Sequence, residues 1–175
     1  MNIAITGMMG TGKSSVGRKL ADILDMEFVD TDDMIERDTG KKISRIFSED
    51  GEPAFREIEK KAVRMVSLLN NFVIATGGGV VKDPGNMEEL ERNSLIVCLK
   101  ASPLEIRRRV SESSARPLLN VEDPVKAIEK IASERENLYA RCDFSIDTTG
   151  LKPEESAEKI VCMIRKLREN NADKS

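Results

Sequence analysis

The stretch that decides how this chain is read is Gly7-Met8-Met9-Gly10-Thr11-Gly12-Lys13-Ser14, a complete G-x-x-x-x-G-K-S phosphate loop directly after the apolar run Ile3-Ala4-Ile5. Glycines there admit backbone conformations closed to residues with a Cβ, and they let successive N–H groups surround a phosphate at a helix N-terminus. Lys13 suits the β and γ oxygens of a nucleoside triphosphate, and the Ser14 hydroxyl suits Mg2+. A glycine-rich turn alone gives a similar spelling. Here, however, a strand pattern precedes the loop and a helical pattern follows it, with Val16, Leu20, Ile23 and Leu24 on one face. That is the context in which the motif binds nucleotide.

Outward from the loop, short apolar runs alternate with helical patterns. Asn2 to Thr6, Met26 to Asp30, Phe72 to Thr76, Ser94 to Leu99 and Phe144 to Asp147 read as five buried strands, an α/β rhythm that implies a parallel sheet. The section between the second and third strands is too long for a simple crossover. Thr31 or Asp32 is placed to cap a short helix ending near Gly40. Ile43, Ile46 and Phe47 mark a second helix, and Pro53 opens a third carrying Phe55, Ile58, Ala62, Met65, Val66 and Leu69. Such a section, about 31–70, suits a substrate-holding unit over the strand ends. Ser102-Pro103, Asp123-Pro124 and Pro153 each open a further helix, the first ending in Arg107-Arg108-Arg109. Between them, 111–120 is polar and serine-rich and reads as a movable loop. From Glu169 to Ser175 the composition turns polar and fraying is expected.

The 175 residues fit one domain, and the net charge of −3 argues against a nucleic-acid footprint. No apolar run reaches the roughly 18 residues of a membrane span, and a strand at the very start leaves no room for a signal peptide, so a cytoplasmic protein is expected. The three cysteines, Cys98, Cys142 and Cys162, form no C-x-x-C pair and read as isolated thiols. With no histidine in the chain, a Ser-His-Asp triad and a histidine metal site are both excluded. Acid or base work falls mainly to carboxylates or lysine.

Several other residues are candidates for chemistry, each with a plainer alternative. Asp30-Thr31-Asp32-Asp33 lies at the sheet edge where the phosphate loop must also lie. Asp30 suits Mg2+ through water and Asp32 an acceptor hydroxyl, yet the run also reads as a helix cap. Thr76-Gly77-Gly78-Gly79 fits a close approach to a ligand as well as a flexible loop. Arg56, Arg135 and Arg107 to Arg109 resemble solvated arginines by local pattern alone, although Arg56 shares a helix face with Glu59. These residues by themselves indicate an ATP-using phosphotransferase and leave its acceptor open.

Taken in order, GMMGTGKSSVG, FVDTDDMIE, GEPAFREIE, TGGGVV, ARPLL and ERENLY resemble the shikimate kinase family, over Ile3 to about Asp147. The phosphate loop is shared by many nucleotide enzymes, whereas the combination with DTD, FRxIE, TGGG and RPLL is specific. The resemblance implies a P-loop three-layer α/β/α fold like that of nucleoside monophosphate kinases: a five-stranded parallel sheet, a substrate-binding helical section and a lid at 111–120. It implies transfer of the γ-phosphoryl group of ATP to the 3-hydroxyl of shikimate, with Mg2+, by an enzyme expected to be a monomer.

Carried over by position, Gly10, Thr11, Gly12, Lys13, Ser14 and Ser15 match the nucleotide loop. Asp30 and Asp32 match the family's DxD pair, Asp32 on the substrate hydroxyls. Arg56 and Arg135 match the arginines on the shikimate carboxylate, and Gly78 and Gly79 match the substrate-contacting glycines. Arg116 matches the lid arginine on the phosphates, and Arg109 falls near the arginine that packs on adenine. Lys13, Asp32 and Arg116 form the catalytic set. Planar guanidinium groups suit the carboxylate end of such a substrate and a carboxylate suits its hydroxyls. Whether Asp32 takes the hydroxyl proton or only orients the hydroxyl stays open.

Overall fold

The computed structural model describes residues 1–111 and 123–172. Five parallel strands, β1 (Asn2–Gly7), β2 (Glu27–Asp30), β3 (Phe72–Ala75), β4 (Ser94–Lys100) and β5 (Phe144–Asp147), lie in the order β2-β3-β1-β4-β5. The phosphate-loop strand is therefore central, in register with β3 through Ile5 and Ala75 and with β4 through Ile5 and Val97. All five strands begin or end within a few residues of where the apolar runs place them.

Alternation along β1 divides the core in two. Ile3 and Ile5 turn toward α1 (Lys13–Leu24) and α8 (Pro153–Ala172), joining Val16, Leu20, Ile160 and Ile164. Ala4 turns the other way, toward α4 (Gly51–Ser67), α5 (Pro84–Glu91), α6 (Pro103–Ser111) and α7 (Pro124–Tyr139), where Val63, Leu90, Ile106 and Ile128 meet Ile74 and Ile96. Helices on both faces of a parallel sheet make three layers. A third, smaller core of Ile35, Ile46, Phe55 and Ala62 joins α2 (Thr31–Thr39), α3 (Ile43–Glu49) and α4, with the Phe47 and Phe55 rings 4.6 Å apart. The section between the second and third strands thus has apolar packing of its own.

Several local expectations need correction. Asp30, not Thr31 or Asp32, caps α2, because its carboxylate accepts from the Asp32 N–H at 2.9 Å. α4 starts at Gly51, two residues before Pro53, and it stops at Ser67, short of Leu69. Ile23 and Met65, placed on apolar faces by spacing, are exposed. α8 continues through Ala172, so the polar turn in composition at Glu169 does not end it. The helix α5, preceded by a 3-10 turn at Val80–Lys82 and capped by Asp83, had no counterpart in the sequence reading. Among the described residues no helix is long and apolar enough to cross a membrane.

Ile160 is fully buried where α8 meets the sheet. Ile160→Ala is expected to lower the unfolding free energy by about 2–5 kcal/mol, read from urea denaturation.

Candidate active site

The phosphate loop is held open by its own backbone and by the strand beside it. Gly7 has φ +134°, and a Cβ there would lie 2.3 Å from the Leu99 carbonyl oxygen, so only glycine lets β1 turn into the loop against β4. Within the loop, the Met8 carbonyl accepts from Thr11 Oγ1 at 2.8 Å and from Lys13 Nζ at 3.0 Å. Lys13 is thereby folded over the loop, where a phosphate would sit. Ser14 Oγ donates to Asp30 Oδ2 at 2.5 Å, tying the first turn of α1 to the end of β2. A cavity of about 270 Å3 is lined by Gly10, Gly12, Lys13, Ser14, Ser15, Asp30, Asp32, Thr76, Gly78 and Arg109. Nearly the whole nucleotide set and both members of the DxD pair therefore face one space.

Arg109 closes the far side of the loop. Its Nη1 reaches the Gly10 and Thr11 carbonyls at 3.4 and 3.2 Å and Thr148 Oγ1 at 3.0 Å, while Nη2 donates to the Thr148 carbonyl at 2.6 Å. Thr148 Oγ1 in turn donates to the Thr11 carbonyl at 3.0 Å. Glu105 holds the other edge of Arg109 at 2.7 Å, and hydrogen bonds from Arg108 and Arg109 draw the Glu105 carboxyl down to about 2. Thr148 was not anticipated from sequence. Its partners come from the phosphate loop, the end of β4 and α6, and only the sheet order brings them together.

The glycine run after β3 forms the other half of the site, and it is packed on every side. At Gly77 a Cβ would meet Asp32 Oδ1 at 2.8 Å and Glu59 Oε1 at 3.0 Å. At Gly78 it would meet the Met9 amide nitrogen at 3.1 Å, and at Gly79 both Nη atoms of Arg56 at 2.6 Å. The Gly78 carbonyl also accepts from Tyr139 Oη at 2.7 Å and Arg135 Nη1 at 3.3 Å, two side chains one turn apart on α7. Close approach, not looseness, explains the three glycines. Asp32, Arg56 and Arg135, drawn from three helices, all meet this one tripeptide, beside the phosphate loop.

Arg56 is half-buried and paired, contrary to its solvated appearance in the sequence. Nη1 donates to Glu59 Oε2 at 2.8 Å, and Nε and Nη2 donate to Glu52 Oε1 at 3.2 and 2.9 Å. Glu59 is 1% exposed, and its other oxygen has no hydrogen-bond partner among the described residues. Burial pushes the Glu59 carboxyl up, and the Arg56 ion pair pulls against that rise. Burial likewise raises the Tyr139 hydroxyl, partly offset by Arg135. The Cys98 thiol, buried in the core, is pushed up to about 11 and so is a poor nucleophile at neutral pH. Arg116 and nearly all of the 111–120 lid lie outside the described residues.

A phosphate loop on the central strand, with carboxylate and guanidinium groups gathered at the adjacent strand end, defines a P-loop phosphotransferase acting on a small acceptor. Comparison with known proteins gives the particular family. The shikimate kinase family profile matches residues 9–165. A shikimate kinase of Caldanaerobacter subterraneus subsp. tengcongensis is 46% identical over 167 residues, covering 95% of this chain and 98% of that one. Another, from Thermodesulfovibrio yellowstonii, is 48% identical over 160 residues, 91% of this chain and 92% of its own. The solved shikimate kinase of Acinetobacter baumannii, in complex with shikimate, superposes with a TM-score of 0.90 at 35% identity, covering 94% of this chain and 93% of the other. The chain belongs to the shikimate kinase family.

Tyr139 contributes one neutral hydrogen bond to the glycine run. Tyr139→Phe is expected to cost about 0.5–1.5 kcal/mol of stability, measured by urea denaturation, because Arg135 continues to serve the Gly78 carbonyl.

Proposed function

We propose that this protein transfers the γ-phosphoryl group of ATP to the 3-hydroxyl of shikimate, giving shikimate 3-phosphate on the route to chorismate and the aromatic amino acids. The observation that carries this reading is the meeting of Asp32, Arg56 and Arg135 on Gly77-Gly78-Gly79, directly beside the phosphate loop. A compact carboxylate bearing several hydroxyls needs guanidinium donors at one end and a carboxylate acceptor near the reacting oxygen. The gathering of Arg56, Arg135 and Asp32 around residues 77–79 supports that use.

Phosphoryl transfer demands chiefly positioning and neutralisation of charge on the phosphate oxygens. Lys13, bonded to the Met8 carbonyl within the loop, serves the β and γ oxygens, and Gly10, Gly12, Ser14 and Ser15 line the same cavity. Ser14 Oγ and Asp30 Oδ2, 2.5 Å apart, offer the hard oxygen donors that Mg2+ prefers, Ser14 directly and Asp30 through water. Mg2+, when bound, adds charge neutralisation on the phosphates. Asp32 accepts from the substrate hydroxyls and fixes the attacking oxygen. Arg56 and Arg135 hold the carboxylate, with Gly78 and Gly79 letting the substrate lie close to the backbone. Arg109 serves the nucleotide end, and Arg116 supplies a further cation to the phosphates. Three free thiols suit the reducing cytoplasm, and a monomer is the working unit of this reading.

ADP release measured with and without shikimate tests the whole reading. Release is expected to depend on shikimate, and shikimate-independent release at the full rate would instead make the protein a nucleotide switch. Lys13→Met is expected to cut turnover by about 100-fold or more, as loss of one preorganised donor does elsewhere, with an unchanged circular dichroism spectrum.

Gly79→Ala separates binding from folding. The added methyl crowds both Nη atoms of Arg56, which Glu59 and Glu52 hold in place, so the melting temperature is expected to fall by about 2–4 °C, the scale of about 1 kcal/mol in a chain of this size. The KM for shikimate is expected to rise about tenfold while that for ATP holds, as misplacement of one planar guanidinium contact implies.

A further inference from the structure

Arg56 faces its ligand with part of its bonding capacity already spent. Its side edge, Nε and Nη2, is occupied by a single oxygen, Glu52 Oε1, at 3.2 and 2.9 Å. The same oxygen accepts a third and shorter bond, 2.7 Å, from Lys82 Nζ on the 3-10 turn that follows the glycine run. Two carboxylates, Glu52 and Glu59, thus share Arg56, and Lys82 is the second cation that brings this group to neutrality.

The two carboxylates differ in how readily they let go. The Glu59 side chain is 1% exposed, and losing its cation would strand a buried charge. The Glu52 side chain is 47% exposed, in the first turn of α4, and its pair with Arg56 is the screened, exchangeable kind. Lys82 is kept within reach because Lys60 on α4 pairs with Asp83, the next residue along the chain, at 3.0 Å. Bonds from Lys82 and Arg56 hold the Glu52 carboxyl at about 2, so it stays charged throughout the working range of pH.

We propose that Glu52 is an internal competitor for the carboxylate seat on Arg56. Lys82 is then a positioning residue that takes Glu52 over when the substrate carboxylate arrives, and the Glu52–Lys82 pair sets the affinity for the acceptor. This rests on Arg56 being the substrate's carboxylate partner. Exchange needs no large movement, since Glu52 Oε1 already touches both cations. Exchange also favours an incoming carboxylate over neutral acceptors, because only an anion can replace the charge of Glu52 on the Nε and Nη2 edge, Glu59 remaining on Nη1.

Steady-state kinetics of Glu52→Gln, Lys82→Met, Lys82→Arg and the Glu52→Gln/Lys82→Met double variant test the exchange, with melting temperatures as the check on folding. Removing the competing charge in Glu52→Gln is expected to lower the KM for shikimate about threefold, the scale of an exposed ion pair. Lys82→Met, which leaves Glu52 on Arg56 alone, is expected to raise it about fivefold, again on that scale. Lys82→Arg is expected to restore it, and in both Lys82 variants the KM for ATP and kcat hold within about twofold. In the double variant the Lys82→Met effect is expected to vanish, since Lys82 acts only through Glu52. A raised KM for shikimate in Glu52→Gln would overturn the proposal by making Glu52 an orienting partner of Arg56. So would a Lys82→Met effect that persists in the double variant, which would place Lys82 on the substrate itself. Arg56→Lys in the same assay keeps the two readings apart: an unchanged KM for shikimate there would overturn the assignment of Arg56 and the exchange with it, whereas a raised one leaves the Glu52 and Lys82 results to decide.

Discussion

The constraint on which the site depends is the absence of side chains at residues 77–79. β3 lies between β2 and β1, so the chain leaving its end is flanked by the phosphate loop on one side and by the start of α2 on the other. α4 and α7 close over it with Arg56 and with Arg135 and Tyr139. Backbone with nothing beyond Cα is the one material that lets an amide of the loop, two carboxylates and a guanidinium approach so closely. Through it the phosphate loop and the helices α2, α4 and α7 meet directly, without an intervening layer of side chains.

The charges around that contact are arranged so that few stand alone. Asp30 both caps α2 and accepts from Ser14, so the carboxylate nearest the phosphate loop is immobilised from two directions. Arg109 is braced by Glu105 while it serves the loop carbonyls. Glu59 is the costly member, buried with one oxygen lacking a partner among the described residues. Glu59 holds its cation in place, and Arg56 sits between Glu59 and Gly79 with little rotational freedom left. Preorganisation of this sort reduces what a ligand must spend to order its own contacts.

What could be read from the sequence, and what could not, divides along local against distant causes. The phosphate loop, the five strands and the capped starts of α6, α7 and α8 are written in short windows, and the structure has them where those windows put them. Asp83-Pro84 carries the same cap-and-proline signal as Asp123-Pro124, so the start of α5 is legible in the sequence as well. The cap of α2 was misplaced by one or two residues because Asp30, Thr31 and Asp32 are all competent caps and only geometry separates them. Ile23 and Met65 sit on helix faces whose width spacing alone cannot set. Arg56 looked solvated because its decisive neighbour, Gly79, is far along the chain. Thr148 and Tyr139 were invisible for the same reason, since each acts on a carbonyl in another element.

The chain contains one tyrosine and no tryptophan. That tyrosine is Tyr139, buried, with its hydroxyl on the Gly78 carbonyl and Arg135 one turn away on the same helix. The protein's ultraviolet emission therefore originates almost wholly from a single phenol beside the glycine run. Any ligand that draws Arg135 off the glycine run or shifts that carbonyl alters the environment of the only strong chromophore present. The geometry around the Gly78 carbonyl thus has its own reporter in the intrinsic fluorescence of the unlabelled protein, with no tryptophan elsewhere in the fold to mask it.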